Sequence, residues 1–394
     1  MRTPLAWHNL VHNKMRTAVA EAGVTFAVVL VFMQLGFLGS IETTVTRFFD
    51  ALDFDLLIRS PAYLHLSNPR TFPMARVQQA AELPEVQSAT PVQIGLSRWR
   101  SPVGEHRRRA IIAIGVQPEQ RVFTLPEIQE KFHLLTDPQF VLIDRKSRSE
   151  FGPRNGKQFS DEDIGVVTEV EGHEVQIVGH FALGTGLTAD GAILMNVMGF
   201  QRLQSPRNPN EASFGLVRLK PGVDAAAAAD RLRLHLCGGS REDENTSGVD
   251  VLTRPEAIRY ELNRWIRETP VGMIFVLGAI VSLMVGTVVV YQVLSSDVAS
   301  HMRHYATLKA MGYTNGFLGR VVLAQAVGLA LVGFLPGLVL SEGLYWFISG
   351  LANLPVVMNV GRVFLVLAMT VAMCALSGLG ALRKVWLADP ASLF

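Results

Sequence analysis

The sequence has 394 residues, of which 49% are hydrophobic and 18% are charged, and its formal net charge is +2 at pH 7. It is more apolar than an average soluble domain, and so small a net charge gives no argument for nucleic-acid binding. The apolar residues are concentrated in four runs of roughly 20 residues, the length that an α-helix needs to cross a bilayer. We therefore predict four transmembrane helices, at residues 18–40, 271–294, 321–344 and 362–382.

The first 17 residues precede the first span. Thr3 followed by Pro4 is typical of a helix start, and the mixture of apolar and basic residues that follows predicts a short amphipathic helix on the membrane surface. A plain polar lead-in to the membrane helix is the alternative. The first apolar run is too long for the core of a secretory signal, so we expect this span to be retained.

Residues 41–270 are predicted to form one large extracytoplasmic domain of the α+β class, because strand-like and helix-like runs alternate along them. The middle of the domain is mostly strand-like. Helices are predicted at 74–82 and 224–236, and strands at 54–59, 94–100, 109–115, 140–143, 164–170, 175–178, 192–195, 214–219 and 249–253.

A charged helix is predicted over residues 255–268, directly before the second span. Only Thr269 and Pro270 interrupt it, since the residue before a proline is disfavoured in helical geometry. A stalk that transmits motion between the domain and the membrane would have this layout.

Basic residues near the ends of the spans set the orientation. Residues 1–17 carry three basic residues and no acidic one, the connection 295–320 carries three basic and one acidic, and the connection 345–361 carries neither lysine nor arginine. Both termini are therefore predicted to be cytoplasmic. Cys237 then lies in the extracytoplasmic domain and Cys374 in the fourth span, so no disulfide is expected between them.

No motif points to catalysis, so we predict a chain that is not an enzyme. The phosphate-binding pattern G-x-x-x-x-G-K-[ST] is missing: Gly156 and Lys157 have Phe151 in place of the first glycine and Gln158 in place of Ser or Thr. The histidines do not follow zinc-site patterns, and no G-x-S-x-G element is present. No cofactor and no metal site are expected in the chain itself.

Small residues recur at four-residue spacing in two spans, which lets membrane helices approach closely. These predicted packing residues are Gly278, Ser282 and Gly286 in the second span and Gly333, Gly337 and Ser341 in the third. For the second span, packing within the chain and contact with a second copy both remain open.

A basic cluster lies in the predicted extracytoplasmic domain and consists of Arg98, Arg100, His106, Arg107, Arg108 and Arg109. It fits either a docking surface for an acidic partner or anionic lipid, or a charged hairpin edge that prevents strand addition.

The connection between the second and third spans contains the string YATLKAMGY, from Tyr305 to Tyr313. Leu308 and Met311 share one helical face at a spacing of three, and Gly312 is expected to stop the helix. This string resembles the coupling loop of the permease family that includes FtsX, LolC, LolE and MacB. In that family the loop docks into a cytoplasmic ATPase, which implies ATPase-coupling roles for Tyr305, Leu308, Lys309, Met311 and Gly312.

The resemblance extends along the chain, through RTPLAW at its start, FMQLGF in the first span, SEFGP in the domain and ADPA near the end. It is closest to the DevC-type permeases of DevBCA exporters. It implies a MacB-type periplasmic core domain with a base at 41–118 and 211–253 and a β-rich insert at 119–210. It also implies a bacterial inner-membrane location and a homodimer surrounded by membrane lipid.

The resemblance further implies an ABC ATPase subunit that binds the ATP, and a periplasmic adaptor that leads to a TolC-like outer-membrane channel. We therefore expect the permease subunit of an ATP-driven exporter of the mechanotransmission type, with an amphiphile such as a glycolipid as its substrate. The alternative is an FtsX-like mechanotransmitter that controls a cell-wall hydrolase and transports nothing. A sensory receptor is disfavoured, because the predicted cytoplasmic segments are too short for a signalling domain.

Overall fold

The computed structural model describes residues 14–104, 106–184, 190–204, 208–236, 248–300, 302, 307, 311–352 and 354–386. The chain divides into two compact units. The first, which we call the helical unit, contains the chain up to Gly39, Pro270–Leu351 and the chain from Val356 onward. The second, which we call the α+β domain, contains Ser40–Thr269 and the short segment Ala352–Pro355.

The α-helices of the described residues are α1 Lys14–Ala51, α2 Ala75–Ala81, α3 Pro126–Lys131, α4 Val197–Leu203, α5 Ala225–Leu236, α6 Arg254–Asn263, α7 Pro270–Ser300, α8 Asn315–Ala352 and α9 Val360–Trp386. Short 3₁₀ turns lie at Phe132–Leu134, Ser149–Phe151 and Asp161–Asp163, and a π-helical turn at Arg264–Glu268.

Four helices among the described residues are long and apolar enough to cross a membrane. They coincide with α1, α7, α8 and α9, so the predicted class of a four-helix membrane protein with a large α+β domain is confirmed. The helices are longer than the apolar runs that predicted them. In particular, α1 continues to Ala51, so its last turns belong to the α+β domain.

The strands of the α+β domain are β1 Leu56–Arg59, β2 Phe72–Pro73, β3 Val86–Arg100, β4 Arg108–Val116, β5 Phe140–Asp144, β6 Val167–Val170, β7 His173–Phe181, β8 Ala192–Asn196, β9 Glu211–Ala212, β10 Phe214–Leu219 and β11 Asp250–Thr253. All but β2 and β9 belong to one sheet, in the order β11-β1-β10-β3-β4-β8-β5-β7-β6.

The first part of this sheet, β11-β1-β10-β3, is antiparallel and forms the base. Helices α2 and α5 bury their apolar residues against one face of it, and Leu56, Val217 and Leu232 are fully buried in that core. Alanines 228 and 229 of α5 are part of the same cluster, and their small side chains allow the helix to lie close to the sheet. The base core therefore combines strands and helices from both ends of the domain.

The second part of the sheet closes into a barrel. The order β3-β4-β8-β5-β7-β6 returns to β3, because Trp99 and Arg100 of β3 also pair with Val170 and Glu169 of β6. Trp99 is fully buried inside, and its Nε1 donates a hydrogen bond to the Phe151 carbonyl oxygen at 3.0 Å. The interior is a packed apolar core, as expected for a barrel of this size.

Strand β3 is shared between the two parts. Residues from Val86 to Val92 pair with β10, and residues from Gln93 to Arg100 pair with β4. The barrel therefore combines β5 to β8, from the segment predicted as an insert, with half of β3 and all of β4, from the segment predicted as base. Pro91 lies inside β3, opposite Gly215, in a position that sequence rules exclude from most strands.

Candidate functional site

Helix α6 begins with a capping box, which fixes its start at the end of β11. Glu256 accepts hydrogen bonds from the backbone N–H and the hydroxyl of Thr253, at 2.8 and 2.9 Å. The backbone N–H of Thr253 lowers the pKa of the Glu256 carboxyl, which keeps the box charged and intact at neutral pH. The predicted stalk thus starts at a defined residue of the base sheet.

Glu261 lies in the middle of α6 and is only 1% exposed. Its Oε2 accepts a hydrogen bond from the Tyr63 hydroxyl at 2.5 Å. Its Oε1 accepts from the Leu66 backbone N–H at 3.0 Å and from the Trp265 Nε1 at 2.9 Å. Burial raises the pKa of the Glu261 carboxyl, and burial together with the Glu261 charge raises the pKa of Tyr63. One carboxylate therefore holds α6, the π-helical turn and the loop after β1 together.

Arg59, at the end of β1, packs against the same helix and is 4% exposed. Its guanidinium forms an ion pair with Asp250 of β11 at 2.8 Å and lies over the Tyr260 ring, 3.6 Å from the ring centroid. It also lies 4.9 Å from the centroid of the Tyr63 ring. A desolvated cation over an aromatic face is a favourable contact, so Arg59 fixes α6 to β1 and β11.

Arg254 fixes the first turn of α6. Its guanidinium donates to the carbonyl oxygens of Leu52 and Phe54, with a distance of 3.1 Å to Leu52, and lies 4.6 Å from the centroid of the Phe54 ring. Leu52 and Phe54 directly follow the end of α1 at Ala51. The end of α1 and the start of α6 are therefore tied to each other by one side chain inside the α+β domain.

After Asn263 the helix changes character. Residues Arg264–Glu268 form a π-helical turn, and Thr269 is extended, with φ −95° and ψ 148°, before α7 starts at Pro270. The interruption falls at the two residues that the sequence indicates. π-Helical turns and proline junctions are places where a helix axis can change direction. The chain thus passes from α6 into α7 through a π-helical turn and one extended residue.

We call Arg59, Tyr63, Tyr260, Glu261 and Trp265 the stalk joint. It resists sliding of α6 along the base sheet, because any such shift would break the hydrogen bonds of Glu261 to Tyr63 and Leu66 and the contact of Arg59 with the Tyr260 ring. Sequence analysis missed it, since Tyr63 and Glu261 are 198 positions apart and a charged helix predicts a solvated face. The local signal was weak: a carboxylate and a tryptophan four residues apart.

The structure describes only part of residues 305–313, which we call the coupling segment. Tyr305, Leu308 and Lys309 lie outside the described residues. Met311 is 63% exposed, and Gly312 has a φ of +91°, the left-handed geometry that ends helices.

Two aromatic residues that sequence analysis did not single out follow this turn. The rings of Tyr313 and Phe317 are in tilted contact, with centroids 4.9 Å apart, and both remain partly exposed. Met311, Tyr313 and Phe317 are therefore three exposed apolar groups within seven residues, in the turn before α8 and in its first turn. Such a group is a surface that a partner protein can bury.

The small residues of the second span lie against other helices of the helical unit. A side-chain carbon at Gly278 would meet the Gln34 amide of α1, and one at Gly286 would meet Ala27 of α1 and Met373 of α9. Ser282 is 4% exposed, and its hydroxyl donates to the Gly278 carbonyl oxygen at 2.7 Å. This face of α7 therefore packs against α1 and α9 of the same chain.

The stripe of the third span lies against α1 as well. Added side chains at Gly333 and Gly337 would meet Val24 and Val28 respectively. The Thr25 hydroxyl donates to the Gly333 carbonyl oxygen at 3.0 Å, and Ser341, which is fully buried, donates to Gly337 at 2.7 Å. Close approach of the two backbones makes the hydrogen bond from Thr25 to Gly333 possible, whereas the bond from Ser341 lies within α8.

Replacing Ser282 with leucine is expected to force α1 and α7 apart, because the added bulk has no space beside Gly278 and Gly286. Phe37 and Phe275 stack across the same helix pair with ring centroids 5.0 Å apart. Cysteines at those two positions, in a chain without Cys237 and Cys374, should be joined readily by a short bifunctional thiol reagent in the parent and poorly in Ser282→Leu. The matched control is Val281→Leu, on an exposed face. Equal cross-linking in all three chains would contradict the packing role.

The basic cluster faces acidic residues of β6 and its hairpin. Arg98 pairs with Glu171 at 2.8 Å, and Arg100 and Arg108 both pair with Glu169, at 3.0 and 2.7 Å. These ion pairs span the seam at which β6 closes the barrel onto β3. Three arginines of the cluster thus form ion pairs across the strands that close the barrel.

Comparison with known families matches two regions of the chain. Residues 17–234 match the MacB-like periplasmic core domain, and residues 276–387 match the FtsX-like permease C-terminal region. A search of curated protein sequences gives no significant match.

Solved structures similar to the chain include the periplasmic region of MacB from Actinobacillus actinomycetemcomitans, with 10% identity over 54% of this chain and 94% of that one and a TM-score of 0.36. The extracellular domain of the noncanonic ABC-type transporter YknZ from Gram-positive bacteria has 13% identity over 51% of this chain and 99% of that one, with a TM-score of 0.32. A domain described as a permease from Porphyromonas gingivalis has 17% identity over 51% of this chain and 87% of that one, with a TM-score of 0.31. The core-domain match alone extends over more than half of the residues, and the chain therefore belongs to the permease family that has a MacB-like periplasmic core domain and an FtsX-like C-terminal region.

Proposed function

We propose that this FtsX/MacB-family permease is the membrane subunit of an ATP-driven exporter of the DevC type. In this proposal a separate cytoplasmic ATPase binds and hydrolyses ATP and docks on the coupling segment around Met311. A periplasmic adaptor binds the α+β domain and leads to an outer-membrane channel. Two copies of the chain form the permease, and the cargo is an amphiphile such as a glycolipid.

The observation that carries the proposal is the way in which α6 is held. Its start is tied by Arg254 to the residues after α1, and its middle is tied by Glu261 to the loop after β1. A helix held by buried polar contacts transmits displacement, whereas a solvated linker would absorb it. Because α6 directly precedes the π-helical turn and the second membrane helix, it suits a subunit that converts helix movement into movement of the domain.

Co-purification from native membranes tests the proposal. The tagged full-length chain is expected to bring down an ATPase together with a periplasmic adaptor, identified by mass spectrometry, and to stimulate that ATPase after reconstitution in vesicles. A chain carrying Met311→Asp should lose the ATPase while keeping the adaptor. Recovery of an ATPase with a cell-wall hydrolase and no adaptor would instead favour the non-transporting alternative.

The proposed orientation makes a separate prediction. In a background in which Cys237 and Cys374 are replaced, single cysteines at Ser349 and Asn245 should react with a membrane-impermeant thiol reagent in intact cells. A cysteine at Ser300 should react only after the cells are opened. The reverse pattern would overturn the assignment of both termini to the cytoplasm.

A further inference from the structure

The α+β domain contains an open cavity of about 520 Å³, which lies outside the stalk joint. It is bounded by the loop after β1, by the middle of β3 and by Gln204 at the end of α4. Its volume is in the range of small-molecule binding sites in proteins. We call this cavity the β3 groove and define it by His65, Asn68, Arg70, Leu96 and Gln204.

The groove exists because β3 changes partners at this point. Gly95 lies just after the switch from β10 to β4, and a side chain there would approach the Gln204 amide to 3.1 Å. The Gln204 Nε2 donates to the Leu96 carbonyl oxygen at 3.1 Å and to the Ser97 hydroxyl at 2.8 Å, so this wall is fixed. Leu96 is 47% exposed and supplies an apolar surface. The groove is therefore built by the fold and has both polar and apolar walls.

Arg70 lines the groove and has an unusual backbone conformation. Its φ is +58°, in the left-handed region that residues other than glycine rarely adopt. Within the described part of the chain it forms no ion pair, whereas Arg98, Arg100 and Arg108 at the barrel seam are all paired with glutamates. An exposed guanidinium held in rare backbone geometry is a candidate for binding an anion.

His65 adds neutral hydrogen-bonding capacity. Its Nδ1 is buried and has no hydrogen-bond partner among the described atoms. Burial and the nearby Arg264 charge lower the pKa of the imidazole, so at neutral pH it is uncharged, and its Nε2 can donate or accept one hydrogen bond. The Asn68 amide lines the same groove. These groups suit hydroxyls rather than a second charge.

We propose that the β3 groove binds an anionic, hydroxylated headgroup: a phosphate or carboxylate carried on a glycerol or sugar unit. Arg70 binds the anionic oxygens, His65 and Asn68 bind the hydroxyls, and Leu96 contacts the carbon skeleton. The site stands on its own geometry and does not depend on whether the chain exports anything.

The groove also adjoins the stalk joint. The Leu66 backbone N–H donates to Glu261, and the rings of His65 and Trp265 lie 5.8 Å apart, so an occupant that contacts His65 lies two contacts from the stalk. The β3 groove and the stalk joint therefore lie side by side in the α+β domain.

Titration calorimetry on the full-length chain in neutral detergent tests this proposal, with sn-glycerol 1-phosphate as the probe and glycerol as the uncharged comparison. Glycerol phosphate should bind and glycerol should not. Arg70→Gly is the informative variant, because glycine adopts a positive φ without strain and the fold is kept. It should weaken binding by about tenfold or more, the scale expected for a lost charge-assisted contact. Arg259→Ala, an exposed arginine of α6 outside the groove, is the matched control and should bind normally.

A second variant and a second probe complete the test. Leu96→Glu places a negative charge on the exposed wall of the groove and should abolish binding of glycerol phosphate. A short-chain phosphatidic acid that binds more tightly than glycerol phosphate would identify a lipid headgroup as the source, and equal affinities would identify a soluble phosphate ester. Failure of glycerol phosphate to bind at millimolar concentration, or unchanged affinity in Arg70→Gly, would overturn the proposal.

Discussion

Met311→Asp should abolish stimulation of the partner ATPase while the chain still inserts into the membrane. Met311 is exposed beside Gly312, in a turn on the proposed cytoplasmic side, and the exposed side chains of Tyr313 and Phe317 follow it in sequence. Enclosing an unpaired carboxylate in a docking contact costs roughly 3–5 kcal/mol, which lowers an affinity by more than about a hundredfold. The measurement is ATP hydrolysis by the reconstituted complex, together with recovery of the ATPase on the tagged permease.

The matched control for this experiment is Thr314→Asp. Thr314 is exposed three residues further along and precedes the start of α8 at Asn315, where aspartate is a favourable cap. It adds the same charge to the same segment but not to the apolar surface. Leu308→Asp is expected to behave like Met311→Asp. Full ATPase stimulation and export in Met311→Asp would remove the coupling role of this segment and the main sequence support for an exporter.

Glu261→Ala should disconnect the stalk from the base sheet. It leaves the Tyr63 hydroxyl, the Leu66 N–H and the Trp265 Nε1 without their acceptor, at about 1–3 kcal/mol for each buried donor. We expect hydrogen exchange in the peptide that contains Leu66 to accelerate by about tenfold or more, while peptides of the barrel stay protected. In the reconstituted exporter, ATPase binding should persist and export should fail.

Glu268→Ala is the control on the same stalk. Glu268 forms an ion pair with Arg264 at 2.9 Å at the surface, and such pairs contribute only about 0.3–0.5 kcal/mol. Its export and hydrogen exchange should match the parent. Normal export by Glu261→Ala, with exchange accelerated as expected, would show that the stalk joint stabilises the domain without transmitting movement.

Glu261→Gln adds a pH test. Because burial raises the pKa of Glu261, the folded chain keeps a proton that the unfolded chain has already released above the ordinary glutamate pKa of about 4.3. The contribution of this group to the free energy of unfolding therefore falls as pH rises from that value through the raised pKa. Glutamine has no carboxyl proton to release, so the free energy of unfolding of the variant should not show this fall with rising pH. Identical pH profiles for both chains would rule out the effect.

The regular elements with strong local patterns could be predicted from sequence. The strand at Phe214–Leu219 was predicted from alternating apolar residues, and the helix that ends at Leu236 was predicted from its alanine-rich composition. The start of β3 could not, because Pro91 and polar residues occupy the half of the strand that begins at Val86. What holds Val86 to Val92 in a strand is pairing with β10, more than 100 residues away, and tertiary pairing overrides local propensity.

The features of the candidate site also divide into those with a local sequence pattern and those formed by distant segments. The small-residue stripes could be found because four-residue spacing is a local property, although spacing alone did not reveal that Gly278 faces Gln34 of the same chain. Gly312 has the left-handed φ of +91° that a helix stop uses, but the helix predicted before it lies mostly outside the described residues. The stalk joint and the β3 groove could not, since each joins segments that only the folded topology brings together, and a buried glutamate in a charged helix resembles a solvated one in sequence.

The sharing of β3 between base and barrel has a consequence for chimaeras built from related permeases. A transplant cut at the predicted insert boundaries, 119 and 210, would carry β5 to β8 but leave behind half of β3 and all of β4, two of the six walls of the barrel. The recipient would have to supply strands that fit the donor's interior side chains, including a tryptophan where Trp99 is enclosed. The smallest exchangeable cassette in this chain is therefore the segment from Gln93 to Gln204, and its upstream junction falls inside a continuous strand rather than in a loop.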